Sequence, residues 1–312
     1  MKRVLVVGEI NVDLILQNYH AFPSLGREVV VDDFVMTLGS ASGIAAMGLA
    51  RLGTPVAFLG KVGADPWGDY CLSVMRSAGI DLSRVLRDEK IKTGVTVSIT
   101  SAADRALVTY PGSIAALTGD EVPDAAFTGF QHVHLSSYFL QERLRPSVAD
   151  ILARASRQGL TTSLDPGFDP SERWGSDLLG ALRQVDLFFP NEVELGALSG
   201  EEDLLRALQR LGNGRTRTVA KLGRRGAATL EGESLLILPS PSIETVDTTG
   251  AGDSFDAGFL HAWLQGQPLL DCLRYGCACG ALSTRGLGGT STQPSEEEVS
   301  RFIAERPVAH HP

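Results

Sequence analysis

Short apolar segments, each followed by polar residues and then by a helical pattern, recur along the chain and constrain its fold. The first is Val4–Val7, and the later ones cover residues 133–135, 160–164, 185–189 and 218–222. A parallel strand needs a crossover segment, usually a helix, before the chain can return to the same sheet. The sequence therefore predicts a doubly wound, mostly parallel α/β sheet flanked by helices.

Composition places few additional limits on the chain. A length of 312 residues with 43% hydrophobic and 21% charged residues is ordinary for a globular protein. The formal net charge is −9 and no basic cluster occurs, which argues against nucleic acid or an anionic membrane as a partner. The four cysteines do not resemble a disulfide framework or a zinc site, and no apolar run is long enough for a signal peptide or a membrane span. These features predict a cytoplasmic protein.

Two β-rich stretches differ from the continuous apolar runs of the central pattern. The first lies within residues 12–37, with valines and Phe34 between 27 and 35, and the second within residues 92–111. Val95, Val97 and Ile99 alternate with threonine and serine, residues 101–105 predict a turn, and residues 106–110 return. Such alternation indicates a sheet with one dry and one wet face. We predict one domain over residues 1–312, in which these two insertions form a small lid sheet.

A glycine-rich loop before an apolar helical pattern is the candidate for chemistry. Residues 246–254 contain Gly250, Ala251, Gly252 and Asp253, and the aromatic residues that follow recur at helical spacing. Small residues let several backbone amides converge at the positive end of a helix, which stabilises an anion. Asp253 at the edge of this loop is placed to accept a proton from a hydroxyl. The alternative is a simple turn in which Asp253 caps the helix.

The longer string Asp-Thr-Thr-Gly-Ala-Gly-Asp-Ser-Phe at residues 247–255 resembles the C-terminal signature of the ribokinase (PfkB) family of sugar and nucleoside kinases. The resemblance implies a ribokinase-like fold and transfer of the γ-phosphoryl group of ATP to a hydroxyl of a small sugar or sugar derivative. It further implies that Asp253 is the general base, that the amides of Gly250, Ala251 and Gly252 stabilise the transferring group, and that Mg²⁺ is required. Related kinases often form homodimers through the lid, so we expect a homodimer here.

Two N-terminal segments are candidates for binding the acceptor. Polar residues just past a strand of an open α/β sheet point into the ligand crevice, although a turn is an equal alternative for these residues. Asn11 and Asp13 match the segment with which the family holds acceptor hydroxyls.

Residues 38–53 predict a glycine-rich turn before a packed helix, and on the residues alone a purely structural role is an equal alternative. The segment resembles the family's first signature, which implies that Gly39, Ser40 and Gly43 bind substrate. The second glycine of that signature is here Ser40, and its asparagine is Ile44. An isoleucine side chain cannot form a hydrogen bond with a hydroxyl, so ribose or fructose specificity does not carry over.

The nucleotide and its metal have candidate residues after two later strands. Asn191 and Glu194 lie three apart at the start of a helix and match the family's metal and phosphate motif, which implies Mg²⁺ near Glu194 through water and Asn191 near a phosphate. Alone, the pair is equally typical of an ordinary helix start. Lys221, Gly223 and Gly226 form a strand end and a glycine turn at the place of the family's nucleotide segment, and a tight hairpin turn is the alternative.

Asp247 and Thr249 precede the anion loop, the name used here for residues 250–253. In related kinases this aspartate and the second residue after it help to bind a monovalent cation such as K⁺, together with carbonyls that correspond to the loop near Gly288. A structural carboxylate held by backbone amides is the alternative.

Other functions remain open on the sequence. Within kinases, the acceptor is alternatively a nucleoside or 2-keto-3-deoxygluconate. The changes at Ser40 and Ile44 also allow a ligand-sensing protein with little catalysis, although the intact loop at Asp253 argues against it. A dinucleotide-dependent dehydrogenase is disfavoured because residues 8–11 lack the Gly-x-Gly-x-x-Gly turn.

Overall fold

The computed structural model describes residues 2–19, 21–100 and 105–306, and in this part of the chain an eight-stranded sheet forms the centre. Strands are numbered in chain order; side by side they are β14 (Ser234–Leu238), β13 (Ala227–Glu231), β12 (Arg217–Lys221), β11 (Leu187–Phe188), β10 (Thr161–Leu164), β9 (His132–Leu135), β1 (Val4–Val7) and β4 (Val56–Leu59). The six strands from β12 to β4 pair in parallel, and β13 and β14 add an antiparallel edge. The predicted mostly parallel sheet is confirmed.

Helices cover both faces of this sheet. They are α1 (Ala41–Arg51), α2 (Pro66–Ser77), α3 (Val148–Arg157), α4 (Ser176–Leu182), α5 (Glu192–Ser199), α6 (Leu204–Leu211), α7 (Ala251–Leu264), α8 (Leu269–Ser283) and α9 (Glu296–Ala304). Leu5 and Val7 of β1 belong to one buried cluster, which contains residues of α3 to α6. Val4 and Val6 belong to a second, which contains residues of α1, α2, α7 and α8. Successive residues of a strand point to opposite faces, so the fully apolar β1 is dry on both sides.

A separate four-stranded sheet is built from the two β-rich stretches. Its strands, in spatial order, are β3 (Asp33–Gly39), β2 (Asn11–Gln17), β7 (Gly94–Thr100) and β8 (Arg105–Tyr110). A short parallel pair, β5 (Lys61–Gly63) and β6 (Leu86–Asp88), forms the remaining sheet. The alternating segment at 95–100 is a strand, as the pattern indicates. The turn expected at 101–105 falls largely on residues 101–104, outside the described residues.

Two details of the β-rich stretches differ from the sequence-based interpretation. Asn11 and Asp13 do not lie in a loop after β1; they are the first and third residues of β2, paired with Gly39 and Thr37 of β3. Residues 27–32 are not a strand although valines occupy 29–31, because the pairing with β2 begins only at Asp33, opposite Gln17. A β-rich composition without a neighbouring strand does not form a ladder.

No helix within residues 2–19, 21–100 and 105–306 combines the length and the apolar character needed to cross a membrane.

Candidate active site

The loop before α7 turns on Gly250. This residue has φ 72°, in the left-handed region, and caps the N-terminus of α7. A Cβ at Gly250 would lie 2.7 Å from the Cα atom of Gly289 and 3.0 Å from Cγ2 of Ile44. Glycine is therefore needed here both for its backbone conformation and for the close approach of a second chain segment.

The amides of this loop are only partly free. The Ala251 amide donates to the Thr248 carbonyl at 3.2 Å, and the Ser254 amide donates to the Gly250 carbonyl at 2.9 Å. Within the described part of the chain, the amides of Gly250 and Gly252 have no hydrogen-bond acceptor. The Ala251 amide already completes a turn, which leaves two of the three predicted donors without a partner in the described residues. The role of Ala251 in stabilising the transferring group stays a prediction.

The anion loop contributes residues to the walls of two cavities. Ala251 and Gly252 line one cavity, of about 520 Å³, whereas Gly250 and Asp253 line the other, of about 180 Å³. The Asp253 side chain is partly buried, and this desolvation, reinforced by the negative charge of Asp165, raises its pKa to about 7. A carboxylate with a pKa near neutrality is suited to exchange protons with a substrate hydroxyl.

The larger cavity contains the predicted nucleotide residues Lys221, Gly223, Gly226 and Gly252. Its remaining wall comes from residues between 240 and 248, from α7 and α8, among them Phe255 and Cys277, and from Arg224 and Thr284. A Cβ at Gly252 would lie 3.4 Å from the Nζ atom of Lys221. The lysine side chain, and not only its backbone, therefore reaches the glycine loop.

Lys221 is held by two aspartates that the sequence did not single out. Its Nζ donates to Oδ2 of Asp165 at 2.5 Å and to Oδ2 of Asp256 at 3.3 Å. Burial alone would lower the pKa of Lys221, but these two carboxylates outweigh burial and raise it. Burial also raises the pKa of Asp256 well above its ordinary value. Oxygens of Asp165, Asp253 and Asp256 lie within 4.8 Å of one another, so the ammonium group of Lys221 compensates a site rich in negative charge.

A signal for these two residues was present in the sequence. Asp165 directly follows β10, at the carboxyl edge of the sheet where ligands bind, and Asp256 is one helical turn after Asp253. Only the spatial meeting of β10, β12 and α7 identifies them as one group.

A row of buried polar side chains runs along the sheet towards Asp165. His132 bonds to Thr161 at 2.9 Å and to Ser163 at 2.7 Å, Ser163 bonds to His134 at 2.7 Å, and His134 bonds to Ser136 at 2.8 Å. Burial lowers the pKa of His132 well below its usual value and that of His134 to about 4. Both imidazoles are therefore neutral, and Lys221 is the cation that compensates Asp165.

Asn191 and Glu194 form the capping box of α5. Asn191 accepts from the Glu194 amide at 3.0 Å, and Glu194 accepts from the Asn191 amide at 2.8 Å and from its Nδ2 at 2.7 Å. Glu194 is buried, which together with the charge of Asp165 raises its pKa to about 7. The helix-start interpretation is therefore present in the structure, and the metal role of Glu194 and the phosphate role of Asn191 stay predictions. Neither residue lines the larger cavity.

The smaller cavity contains three of the five predicted acceptor residues, namely Asn11, Asp13 and Ser40. Asn11 donates from Nδ2 to Oδ1 of Asp13 at 2.8 Å. Gly39 and Gly43 do not line the cavity, but each lies against a side chain that does. A Cβ at Gly39 would lie 2.1 Å from the Asp13 carboxylate, and one at Gly43 would lie 2.7 Å from Oγ of Ser40. Both glycines therefore leave room for the polar groups of their neighbours.

Glu9 and Ile44 also line the smaller cavity. Glu9 is buried and accepts from the Ser42 hydroxyl at 2.5 Å and from the Ser42 amide at 3.2 Å. Burial raises its pKa, partly offset by these hydrogen bonds. Ile44 lies against Gly250 and Gly289, so it joins α1 to the anion loop. Glu9 was not predicted as a site residue, although it follows β1 at the carboxyl edge of the sheet.

The Asp247 carboxylate is bonded by three donors. Oδ1 accepts from the Thr249 amide at 2.9 Å and its hydroxyl at 2.8 Å, and Oδ2 accepts from the Gly288 amide at 2.8 Å. This is the arrangement expected for the structural alternative. The monovalent-cation site at Asp247 and Thr249 stays a prediction.

Comparison with known proteins agrees with this geometry. A profile described as pfkB family carbohydrate kinase matches residues 1–296. An ATP-dependent ribose-1-phosphate kinase of Halopiger xanaduensis is 32% identical over 310 residues, which is 98% of this chain and 99% of that protein. A 2-dehydro-3-deoxygluconokinase of Bacillus subtilis is 30% identical over 90% of both chains.

Solved structures support the same fold. A protein described as ribokinase II from E. coli, in complex with ATP and Mg²⁺, superposes with a TM-score of 0.85 at 22% identity, over 98% of this chain and 100% of that one. Arabidopsis thaliana ribokinase in complex with ribose and ATP superposes with a TM-score of 0.82 at 23% identity, over 97% and 98% of the two chains. These superpositions establish the ribokinase-like fold, and the match of the family profile to residues 1–296 establishes the family. The chain is an ATP-dependent sugar kinase, a phosphotransferase with an alcohol group as acceptor, and it belongs to the pfkB family of carbohydrate kinases.

Proposed function

We propose that Asp253 is the general base for direct transfer of the γ-phosphoryl group of ATP to a hydroxyl of a small sugar or sugar derivative. The observation that carries this proposal is the position of the loop between the two cavities. ATP in the larger cavity would place its terminal phosphate at Gly252, and an acceptor in the smaller cavity would place a hydroxyl at Asp253. The reacting atoms would then meet across a single turn of chain.

The bonds that change in this step balance without a covalent enzyme intermediate. The acceptor oxygen forms a bond to the γ-phosphorus, the bond from that phosphorus to the bridging oxygen of ADP breaks, and the hydroxyl proton passes to Asp253. The amides of Gly250 and Gly252, at the positive end of α7, stabilise the charge that spreads over the transferring oxygens. Asn11 and Asp13 hold the acceptor in position.

Mg²⁺ fits this site through Glu194. Both carboxylate oxygens of Glu194 accept one hydrogen bond each from Asn191, which leaves lone pairs for metal-bound water. When bound, Mg²⁺ neutralises phosphate oxygens. The three-aspartate group is a poorer candidate, because Lys221 already bonds to two of its members.

The four-stranded sheet is proposed as a lid and as the contact between two copies of the chain. One face of this sheet lines the smaller cavity with Asp13, Thr96 and Thr109. The opposite face carries Val108 and Phe34, which are 61% and 56% exposed. An apolar sheet face that remains exposed in one copy is typical of a protein–protein contact. A lid over the acceptor would also exclude water, which would otherwise compete for the phosphoryl group.

Replacement of Asp253 by Asn tests the proposal. The amide side chain keeps the shape of the carboxylate but cannot accept a proton, so kcat should fall by about 10² to 10⁴. ADP release measured across sugars, sugar acids and nucleosides gives kcat, and calorimetry with ATP should show nucleotide binding close to that of the unaltered protein. Near-normal turnover in Asp253→Asn would refute the assigned role. No ADP release with any acceptor, in the unaltered protein, would favour a sensor.

The pH dependence of turnover gives a second readout of the same group. Asp253 must be ionised to act as a base, and its pKa is about 7, so kcat/KM for the acceptor should fall as the pH decreases through 7. Glu194 has a similar pKa, so its protonation is a second source of the same decrease in kcat/KM. The decrease in kcat/KM at acid pH should therefore persist in Glu194→Gln if protonation of Asp253 causes it.

A further inference from the structure

The smaller cavity, to which the proposed function assigns the acceptor, is lined by two rows of side chains with different chemistry. On the four-stranded sheet, Asp13 pairs with Thr96, and Thr96 pairs with Thr109, which makes one polar row. Two residues further along each strand, roughly 7 Å away, the next row is formed by Ile15, Ser98 and Leu107. All six of these residues line the cavity.

The polar row is the one nearer the reacting group. Asn11, two residues before Asp13, pairs with Gly39 at the end of β3. Gly39 leads directly into α1, where Ile44 lies against Gly250 of the anion loop. The row of Ile15, Ser98 and Leu107 is therefore at the far end of the cavity, beyond the position of the attacking hydroxyl.

The far row offers apolar contact and one unused hydrogen-bonding group. Leu107 is 58% exposed although it lines a cavity, and Ile15 is buried. Ser98 is 4% exposed, and its hydroxyl has no hydrogen-bond partner among the described residues. A buried hydroxyl without a partner loses free energy unless a ligand or water supplies one. This end of the cavity is thus suited to an apolar group that also accepts or donates a hydrogen bond.

The charge of the cavity limits the acceptor further. Its lining contains the carboxylates of Glu9, Asp13 and Asp253, and among the described residues that line it there is no Lys, Arg or His. An anionic group on the acceptor would meet no opposite charge in this wall and two or three like charges. Sugar acids and sugar phosphates are disfavoured on this ground.

We infer that the acceptor is an uncharged sugar that carries an apolar substituent with a hydrogen-bonding group, which is the chemistry of a nucleoside. Its sugar hydroxyls lie at the row of Asp13, and its base lies between Ile15 and Leu107 with Ser98 as hydrogen-bond partner. This inference rests on the proposed function of the site, since it assigns the substrate class of the same cavity.

The test compares acceptors in the full-length protein with ATP and Mg²⁺. Inosine and uridine should give a higher kcat/KM than ribose, 2-dehydro-3-deoxygluconate or ribose 1-phosphate. Leu107→Thr and Ser98→Ala should each lower kcat/KM for the nucleosides by about tenfold while ribose changes by no more than about twofold, because ribose does not reach the far row. Leu179→Thr on α4, a leucine 41% exposed outside the cavity, is the matched control and should change neither.

Two outcomes distinguish this inference from the proposed function. A kcat/KM for ribose, the sugar acid or the sugar phosphate that equals or exceeds that for the nucleosides would overturn the inference and leave the kinase reaction intact. An equal loss of ribose and nucleoside turnover in Leu107→Thr would do the same. Calorimetry with inosine and ribose, in the presence of an ATP analogue that cannot transfer its γ-phosphoryl group, measures binding alone. Selective binding of inosine without turnover of any acceptor would support the inference and contradict the proposed function.

Discussion

At the scale of single residues, Gly250 and Gly266 provide a matched pair. Both have a positive φ, 72° and 78°, at opposite ends of α7. A Cβ at Gly266 would meet no atom of the described residues within 4 Å, whereas one at Gly250 would meet Gly289 and Ile44. The two positions therefore share the backbone requirement and differ only in the space around it.

Replacement of each glycine by alanine should separate these effects. Gly266→Ala should lower the free energy of unfolding by roughly 1 kcal/mol, the cost of a left-handed residue with a Cβ. Gly250→Ala should lower the free energy of unfolding by more than this amount. It should also lower turnover, because the loop must move to relieve the contact with Gly289. Urea unfolding and ADP release measure the two quantities. Equal stability losses with retained turnover in both variants would show that the close approach at Gly250 is unimportant.

Which residues could be predicted from the sequence depends on how local their role is. Asp253 and Gly250 belong to one short string that predicts either an anion loop or a simple turn before a helix, and the resemblance to the family's signature favours the anion loop. Asp165 and Lys221 lie 56 residues apart and meet only because β10 and β12 place their carboxyl ends at one edge of the sheet. The engagement of the Ala251 amide by Thr248 also escapes sequence reasoning, because it depends on the detailed path of the turn.

At the scale of elements, α5 and α9 begin with the same device. The capping box of α5 is Asn191 with Glu194, and that of α9 is Ser295 with Glu298. Only the first lies near the cluster of Asp165 and Lys221, as the effect of both charges on the Glu194 pKa indicates. Helix stabilisation is common to both pairs, and a metal role is possible only for one.

Asn191→Ala and Ser295→Ala should each reduce the free energy of unfolding by about 1 kcal/mol, the usual cost of losing an N-cap. If Glu194 holds Mg²⁺ through water, only Asn191→Ala should also raise the Mg²⁺ concentration needed for half-maximal turnover, because Glu194 loses the partner that orients it. Chemical unfolding and a magnesium titration of ADP release give both values. An unchanged magnesium dependence in Asn191→Ala would leave the pair with a structural role alone.

The four-stranded sheet shows which strands the alternation of polar and apolar residues predicts and which it does not. The alternation at 95–100 identifies β7 without further information, because polar and apolar residues face opposite sides. The segment at 11–17 starts with polar residues that read as the turn after β1, and it becomes a strand because β3 and β7 flank it on both sides. Pairing partners distant in sequence therefore decided this element.

At the scale of the whole molecule, the apolar outer face of the four-stranded sheet determines the expected assembly. Val108→Asp should place a charge at the proposed contact between two copies and convert a dimer to monomers. Leu179→Asp on α4 introduces the same charge at another exposed leucine and should leave the assembly unchanged. Light scattering coupled to gel filtration measures the molar mass of each. A monomeric unaltered protein, or a dimer that persists in Val108→Asp, would exclude this contact.

The anion loop and the two threonines before it contribute successive residues to two compartments. Thr248, Ala251 and Gly252 face one of them, and Thr249, Gly250 and Asp253 face the other. Within the described residues, the two linings have no member in common, so substitutions confined to one wall and distant from the loop should combine additively with those in the other. Selection can therefore alter the preference for the phosphoryl acceptor while the donor compartment is inherited unchanged, which gives such a scaffold a simple route to new substrates.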